Sequence, residues 1–216
     1  MRRLLLFVLM LGLLGATIAS AATTCPTLGS GPVTVTPDYS CEVNGLVFSN
    51  FTVIPATAGT TANVTLVYAS VVGDYVNLYF NPSLTASAGS SSDIWFYFTV
   101  SGGVNGIDLS VSGTNATITE YACGSPVTAG NICPAGTELA KFTAQSGGSA
   151  YAAFPGGEFA ENVYIYKNIL VQGGVTAPGE LSSFSQSFHI PEPFTFVLMG
   201  SGLLAIGLVR RRSRSK

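Results

Sequence analysis

Apolar and polar residues alternate in short runs between residues 22 and 190, and the runs are rich in β-branched and aromatic side chains. Such alternation predicts β-strands, because successive side chains of a strand point to opposite faces. Clusters of Gly, Ser, Asn and Pro separate the runs and predict turns, among them Gly102-Gly103 and Ser112-Gly113. The pattern predicts strands over residues 46–54, 63–71, 75–80, 93–101, 106–112, 116–121, 138–144, 162–172 and 183–190.

These strands predict one all-β domain over residues 22–190, an antiparallel β-sandwich of jelly-roll-like type. A partly closed barrel is the alternative that the same pattern allows. No segment of this body carries an apolar stripe at helical spacing together with capping residues.

The run 93–100 shows the alternation most clearly. Its apolar residues at even positions share one face and are predicted to point into the core. Trp95 and Tyr97 share the other face, where they are candidate glycan contacts, since sugar rings pack on flat aromatic surfaces. Alternatively they pack under a loop or against the second sheet, because large aromatic side chains are mostly well buried.

The N-terminus has the three parts of a secretory signal peptide. Arg2 and Arg3 precede an apolar run over residues 4–14, and Ala19 and Ala21 form a small-residue cleavage site. We therefore expect residues 1–21 to form a signal helix that directs the chain to the Sec machinery. Signal peptidase would then cut after Ala21 or one residue later.

The C-terminus has a second apolar segment. A Pro-Glu-Pro motif at Pro191, Glu192 and Pro193 precedes the uncharged run 194–209 and a basic tail at 210–216. A helix of this length nearly spans a bilayer core. The basic tail favours a cytoplasmic end and stops transfer, which leaves the body outside the inner membrane. The stop-transfer cluster consists of Arg210, Arg211, Arg212 and Arg214.

The order of motif, apolar helix and Arg-rich end resembles the PEP-CTERM sorting signal of Gram-negative bacteria. The resemblance implies an exosortase as partner, processing near Pro191–Pro193, and delivery to the cell envelope, cell surface or extracellular matrix. It also implies a link to exopolysaccharide and biofilm. A plain C-terminal membrane anchor is the alternative. The segments 40–51 and 181–188 further resemble a small PEP-CTERM group of unknown function.

The charges separate into basic tips and an acidic body. Residues 22–190 hold two basic residues, Lys141 and Lys167, and ten acidic ones, a net charge of −8. A nucleic-acid-binding domain needs a basic patch, so nucleic acid is excluded as a partner. The basic residues at the two ends reflect membrane topology.

Four cysteines lie in the body, as expected for disulfides in an oxidising compartment. Four cysteines allow three pairings, and the local ones, Cys25–Cys41 and Cys123–Cys133, are predicted. A zinc site is the alternative, but the chain has no Cys-x-x-Cys pair.

The body lacks the motifs of nucleophilic, metal-dependent and nucleotide-dependent enzymes, and its one histidine, His189, lies at the domain edge. We therefore expect a non-enzymatic structural or interaction protein without cofactor or metal. A carbohydrate-binding module using Trp95 and Tyr97 is the alternative. A glycan hydrolase, which needs two carboxylates in one cleft, is the third hypothesis.

Overall fold

Fourteen β-strands form two sheets in a computed structural model that describes residues 23–60, 63–127 and 133–190. Sheet A contains, in spatial order, β1 (Thr23–Thr24), β3 (Cys41–Val43), β4 (Leu46–Pro55), β8 (Ser91–Val104), β13 (Ala160–Gln172), β10 (Ala116–Cys123) and β11 (Glu138–Gln145). Sheet B contains β12 (Ser149–Ala153), β9 (Gly106–Thr114), β14 (Gly179–His189), β6 (Tyr75–Asn81), β5 (Thr65–Val72) and β2 (Val33–Thr34), with β7 (Leu84–Ala86) paired to β14.

The arrangement confirms the predicted all-β fold of two facing, mainly antiparallel sheets. All strand pairs described are antiparallel except β1 with β3. The chain passes repeatedly from one sheet to the other. Asn105 alone connects β8 to β9, and Asn115 alone connects β9 back to β10. These one-residue connections place consecutive strands in opposite layers.

Each of the nine predicted runs overlaps a long strand, but two turn predictions were wrong. Gly102-Gly103 lies inside β8 and Gly113 inside β9. These three glycines have positive φ angles, from 98° to 148°, and the β9–β14 pairing shifts register beside Gly113. Glycine reaches such angles without steric cost, so the chain can bend there while the strand continues.

The predicted signal peptide at 1–21 and the sorting segment at 191–216 lie outside the described residues, and their assignments stay predictions. In the ranges described, no helix is long and apolar enough to cross a membrane.

Phenylalanine rings from both inward faces form the centre of the core. Phe80 of β6 lies 5.4 Å from Phe96 of β8 and 5.0 Å from Phe184 of β14, measured between ring centroids. Phe98 of β8 lies 6.1 Å from Phe188 of β14. All five rings are at most 2% exposed. Fully burying one such ring contributes roughly 1.5–3 kcal/mol to stability, so the aromatic contacts between layers hold the sheets together.

The structure contains both predicted local disulfides. Cys25–Cys41 ties the N-terminal segment to β3, and Cys123–Cys133 closes the segment that follows β10. Two disulfides are typical of an extracellular or periplasmic protein. All four cysteines are therefore engaged, which removes them as zinc ligands.

Two backbone segments approach each other closely at Gly173, directly after β13. The Gly173 N–H donates to Ser90 O at 2.8 Å, and a Cβ at this position would overlap the backbone carbonyl of Ser87. Gly124 provides a matched control, because a Cβ there would meet its nearest neighbour at 3.7 Å, an ordinary contact.

We expect Gly173→Ala to lower the free energy of unfolding by about 1–3 kcal/mol, the usual cost of overpacking. Gly124→Ala should change it by much less. Chemical denaturation of both variants measures the difference, and equal stabilities would contradict the described backbone contact.

Candidate functional site

The outer face of sheet B carries aromatic and polar side chains where a solvent-facing sheet surface is usually polar. Alternation along strand β6 puts tyrosines on this face. Val76 and Leu78 point inward, whereas Tyr75, Asn77 and Tyr79 point outward. Strand β14 follows the same rule with outward serines and His189. We call the outward side chains of β5, β6, β14, β9 and β12 the tyrosine face. It comprises Tyr68, Tyr75, Asn77, Tyr79, Asp108, Ser110, Tyr151, Ser185, Ser187 and His189.

Strand register brings distant residues into one row on this face. Asn77 pairs with Ser187, Ser187 with Asp108, and Asp108 with Tyr151, across four neighbouring strands. Ser187 Oγ donates to Asn77 Oδ1 at 2.6 Å. The row thus sets an amide, a hydroxyl, a carboxylate and an exposed ring side by side on rigid backbone.

His189 lies at the centre of an aromatic cluster. Its ring stacks on Tyr151 at 5.0 Å and meets Tyr75 edge-on at 4.3 Å, between centroids. Its Nε2 lies 2.8 Å from Asp108 Oδ2. Gly106 opposes His189 in the register, and a Cβ there would lie 3.5 Å from His189 Cγ. The imidazole therefore packs over a position that carries no side chain.

Tyr68 and Tyr79 form the second aromatic element of the tyrosine face. Their rings stack at 4.1 Å with an interplanar angle of 20°. Tyr79 pairs with Ser185, which pairs with Ser110. A strip of serine hydroxyls therefore leads from the stacked pair toward the strands that carry the His189 cluster.

A shallow depression of about 550 Å³ lies on this face beside Tyr151. Asp108, Ser110, Ser185 and Ser187 are among the residues that line it. The Tyr151 residue is 56% exposed, whereas the side chains of Asp108 and His189 are 32% and 14% exposed. A ligand placed here meets hydroxyl and carboxylate groups along the depression and an accessible ring at its side.

Trp95 and Tyr97, the predicted glycan contacts, lie on the outer face of sheet A. Their apolar neighbours in β8 point inward as predicted. Tyr97 packs against Tyr166 with tilted rings at 5.0 Å between centroids, and Tyr166 packs against Tyr121 in the same way at 5.5 Å. Lys141 Nζ lies 4.8 Å from the Tyr121 centroid. Tyr166, the middle ring of this row, is only 3% exposed, and Trp95 and Tyr97 are half-buried, so these rings are less accessible to a ligand than Tyr151.

The tyrosine face was missed by the sequence analysis, which treated His189 as a residue at the domain edge. The alternations Tyr75-x-Asn77-x-Tyr79 and Ser185-x-Ser187-x-His189 were the available signal. They identify two outward strand faces, but only the register places these faces side by side.

The described residues bring together no group of three or more His, Cys, Asp or Glu side chains that could hold a metal ion. His189 and Asp108 form a pair without a serine hydroxyl bonded to the imidazole in the part of the chain described. The sorting motif, the stop-transfer arginines and the signal cleavage site lie outside the described ranges.

No protein-family model matches the sequence, and no curated protein matches it at the significance required. Among solved structures, TmCBM61 in complex with β-1,4-galactotriose is 14% identical, with a TM-score of 0.33, covering 64% of this chain and 88% of that one. The hydroquinone 1,2-dioxygenase PnpCD is 11% identical (TM-score 0.26, 57% and 62% covered). The xylan-binding module CBM15 is 11% identical (TM-score 0.21, 74% and 97% covered). Likenesses at this level carry no argument about function.

Burial raises the pKa of Tyr166 to about 12, and the nearby Tyr97 adds to the shift. Because the ionised form is disfavoured in the folded protein, Tyr166 contributes stability below its ordinary pKa near 10. That contribution is lost as the pH rises from about 10 to about 12.

We therefore expect the stability of the wild type to fall more steeply than that of Tyr166→Phe over this alkaline window. Denaturation curves at a series of pH values measure the difference. Parallel pH profiles for the two proteins would contradict the buried position of the Tyr166 hydroxyl.

Proposed function

We propose that the protein is an exported, non-enzymatic protein of the cell envelope or matrix, and that its sandwich binds a polysaccharide through the tyrosine face. The observation that carries this proposal is the row of tyrosine and histidine rings on sheet B, with hydroxyl, amide and carboxylate groups between them. Glycan binding was the alternative from the sequence, where it rested on Trp95 and Tyr97. The geometry moves the proposed contact to the opposite sheet.

The chemistry of the face suits a sugar chain. Tyrosine and histidine offer an apolar ring for packing and a polar group at the rim. Asn77, Asp108 and Ser187 offer acceptors and donors for sugar hydroxyls. A tyrosine has only two side-chain torsions, so ordering it on binding costs little conformational entropy.

The charge of the body favours a neutral polysaccharide. With a net charge of −8 over residues 22–190, the body repels polyanions at long range. Asp108, on the tyrosine face itself, accepts hydrogen bonds from sugar hydroxyls but repels carboxylated sugars. We therefore propose neutral exopolysaccharide as the ligand class.

The two ends of the chain would bring the protein to the compartment where exopolysaccharide is found. The signal peptide at 1–21 takes the protein across the inner membrane. The segment 191–216, which resembles a PEP-CTERM signal, presents it to an exosortase. The two disulfides agree with this route, since they form in oxidising compartments.

Tyr151→Ala should weaken binding to the neutral exopolysaccharide of the producing bacterium by about tenfold, the effect of losing one important contact. Tyr151 is on the short strand β12 and is 56% exposed, so the variant should fold. Trp95→Ala is the matched control on the other sheet and should bind like the wild type. Affinity electrophoresis in gels containing the polysaccharide measures all three proteins.

Loss of binding in Trp95→Ala alone would return the site to sheet A. If the polysaccharide gel retards all three proteins equally, and more than it retards an inert protein, binding takes place on neither face. Either result contradicts the tyrosine face as the site.

Exosortase sorting predicts that the protein from its native host ends near Pro191–Pro193. Intact-mass measurement of the purified protein reads the C-terminus directly. A chain that runs to Lys216 would mean that the C-terminal segment is an ordinary anchor.

A further inference from the structure

Among the residues that the structure describes, three polar side chains are completely buried in the core between the two sheets. They are Lys167 of β13, Glu120 of β10 and Gln186 of β14, each with no exposed surface. Lys167 Nζ donates hydrogen bonds to Glu120 Oε2 and to Gln186 Oε1. An amine, a carboxyl group and a carboxamide therefore meet in a site without solvent.

The register of the strands fixes this meeting. Glu120 and Lys167 are directly paired across β10 and β13 in sheet A, so their side chains point inward together. Gln186 reaches them from sheet B, where it alternates with the inward rings of Phe184 and Phe188. The ring centroid of Phe184 lies 5.5 Å from Lys167 Nζ, which closes the site with an apolar wall.

Burial favours the neutral forms of the two ionisable groups. Desolvation lowers the pKa of the Lys167 amine and raises the pKa of the Glu120 carboxyl, although their mutual attraction opposes both shifts. Glu120 Oε1 is buried without a hydrogen-bond partner in the described chain, which disfavours a charged carboxylate further. The proton is therefore able to pass from the ammonium to the carboxylate, leaving a neutral amine beside a neutral acid.

We propose that Lys167 and Gln186 join in an intramolecular amide bond, formed without a cofactor and assisted by Glu120. An unprotonated lysine amine is a nucleophile, and the carboxamide carbon of Gln186 is the electrophile next to it. That carbon lies one C=O bond, about 1.23 Å, beyond the oxygen that Lys167 Nζ already contacts. Holding the reactants together in a dry core supplies the proximity that a weak electrophile needs.

The reaction balances within these three side chains. Lys167 Nζ bonds to Gln186 Cδ, and the Glu120 carboxyl group gives its proton to Gln186 Oε1. The Glu120 carboxylate that results then takes a proton from Lys167 Nζ. As the C=O re-forms, the Oε1 proton passes through Glu120 to Nε2, and the Cδ–Nε2 bond breaks to release ammonia. A secondary amide remains, Glu120 returns to its starting form, and nothing is oxidised or reduced.

Such a bond would connect the layers of the sandwich permanently. Lys167 belongs to sheet A and Gln186 to sheet B. Neither disulfide joins a strand of one sheet to a strand of the other. The amide would therefore be a covalent connection between the two sheets that neither disulfide provides.

Trypsin tests the proposal, because it does not cut after an acylated lysine. Lys141 and Lys167 are the only basic residues between residues 4 and 209. In the full chain, reduced and denatured, we expect cleavage after Lys141 and none after Lys167. The peptide that starts at residue 142 should run past residue 186 and weigh one ammonia less than its sequence. Cleavage after Lys141 is the internal control for digestion.

Separate peptides ending at Lys167 and starting at Asn168, both at unmodified mass, would overturn the proposal. Loss of water instead of ammonia, with the link mapped to Glu120, would overturn it as well.

Glu120→Gln keeps the shape of the side chain and removes the proton carrier. We expect trypsin to cut this variant after Lys167, with Gln186 intact, while Glu120→Asp keeps part of the link. Far-ultraviolet circular dichroism and the two disulfides verify that the variants fold. A fully linked Glu120→Gln protein would refute the role of Glu120.

Discussion

Aromatic packing between two sheets is the interaction on which the rest of this structure depends. Phe96 and Phe98 on sheet A meet Phe80, Phe184 and Phe188 on sheet B, and all are buried. Because a strand alternates its side chains, every inward ring fixes the direction of its neighbours. The core therefore decides which residues reach the two outer faces, where binding becomes possible.

The two outer faces use their aromatic residues differently. On sheet A, the tilted rings of Tyr97, Tyr166 and Tyr121 pack against one another across three strands, and Tyr166 is buried. On sheet B, Tyr151 is exposed beside a polar depression, and the imidazole of His189 supports its ring. Packing among the sheet A tyrosines buries Tyr166 and stabilises the fold, whereas the sheet B arrangement leaves the Tyr151 ring accessible to a ligand.

Much of the fold could be predicted from local pattern, because alternation along one strand needs no knowledge of its partners. The inward set around Phe96 and both local disulfides follow from residues near each other in sequence. Five short strands, of two to five residues, were missed because a run of so few residues is too short to reveal an alternating pattern. They are β1, β2, β3, β7 and β12.

The type of contact at the candidate site could be predicted from the sequence, but its location could not. Glycan contact through aromatic residues was expected, but at Trp95 and Tyr97. Tyr75, Tyr151 and His189 belong to three strands that are far apart in sequence, and only the register of β6, β14, β9 and β12 brings them together. The buried contact among Lys167, Glu120 and Gln186 depends in the same way on the pairing of β10 with β13 and on the facing of the two sheets.

The single tryptophan, Trp95, reports directly on whether the glycan binds on sheet A or on sheet B. Trp95 lies on the outer face of sheet A, and packed sheets are about 10 Å apart. The neutral exopolysaccharide is titrated into the protein while calorimetry records binding and Trp95 emission is followed in parallel. If the glycan binds on sheet B, we expect saturable binding with unchanged Trp95 emission. Emission that changes in step with binding, or no binding at all, would contradict binding on sheet B.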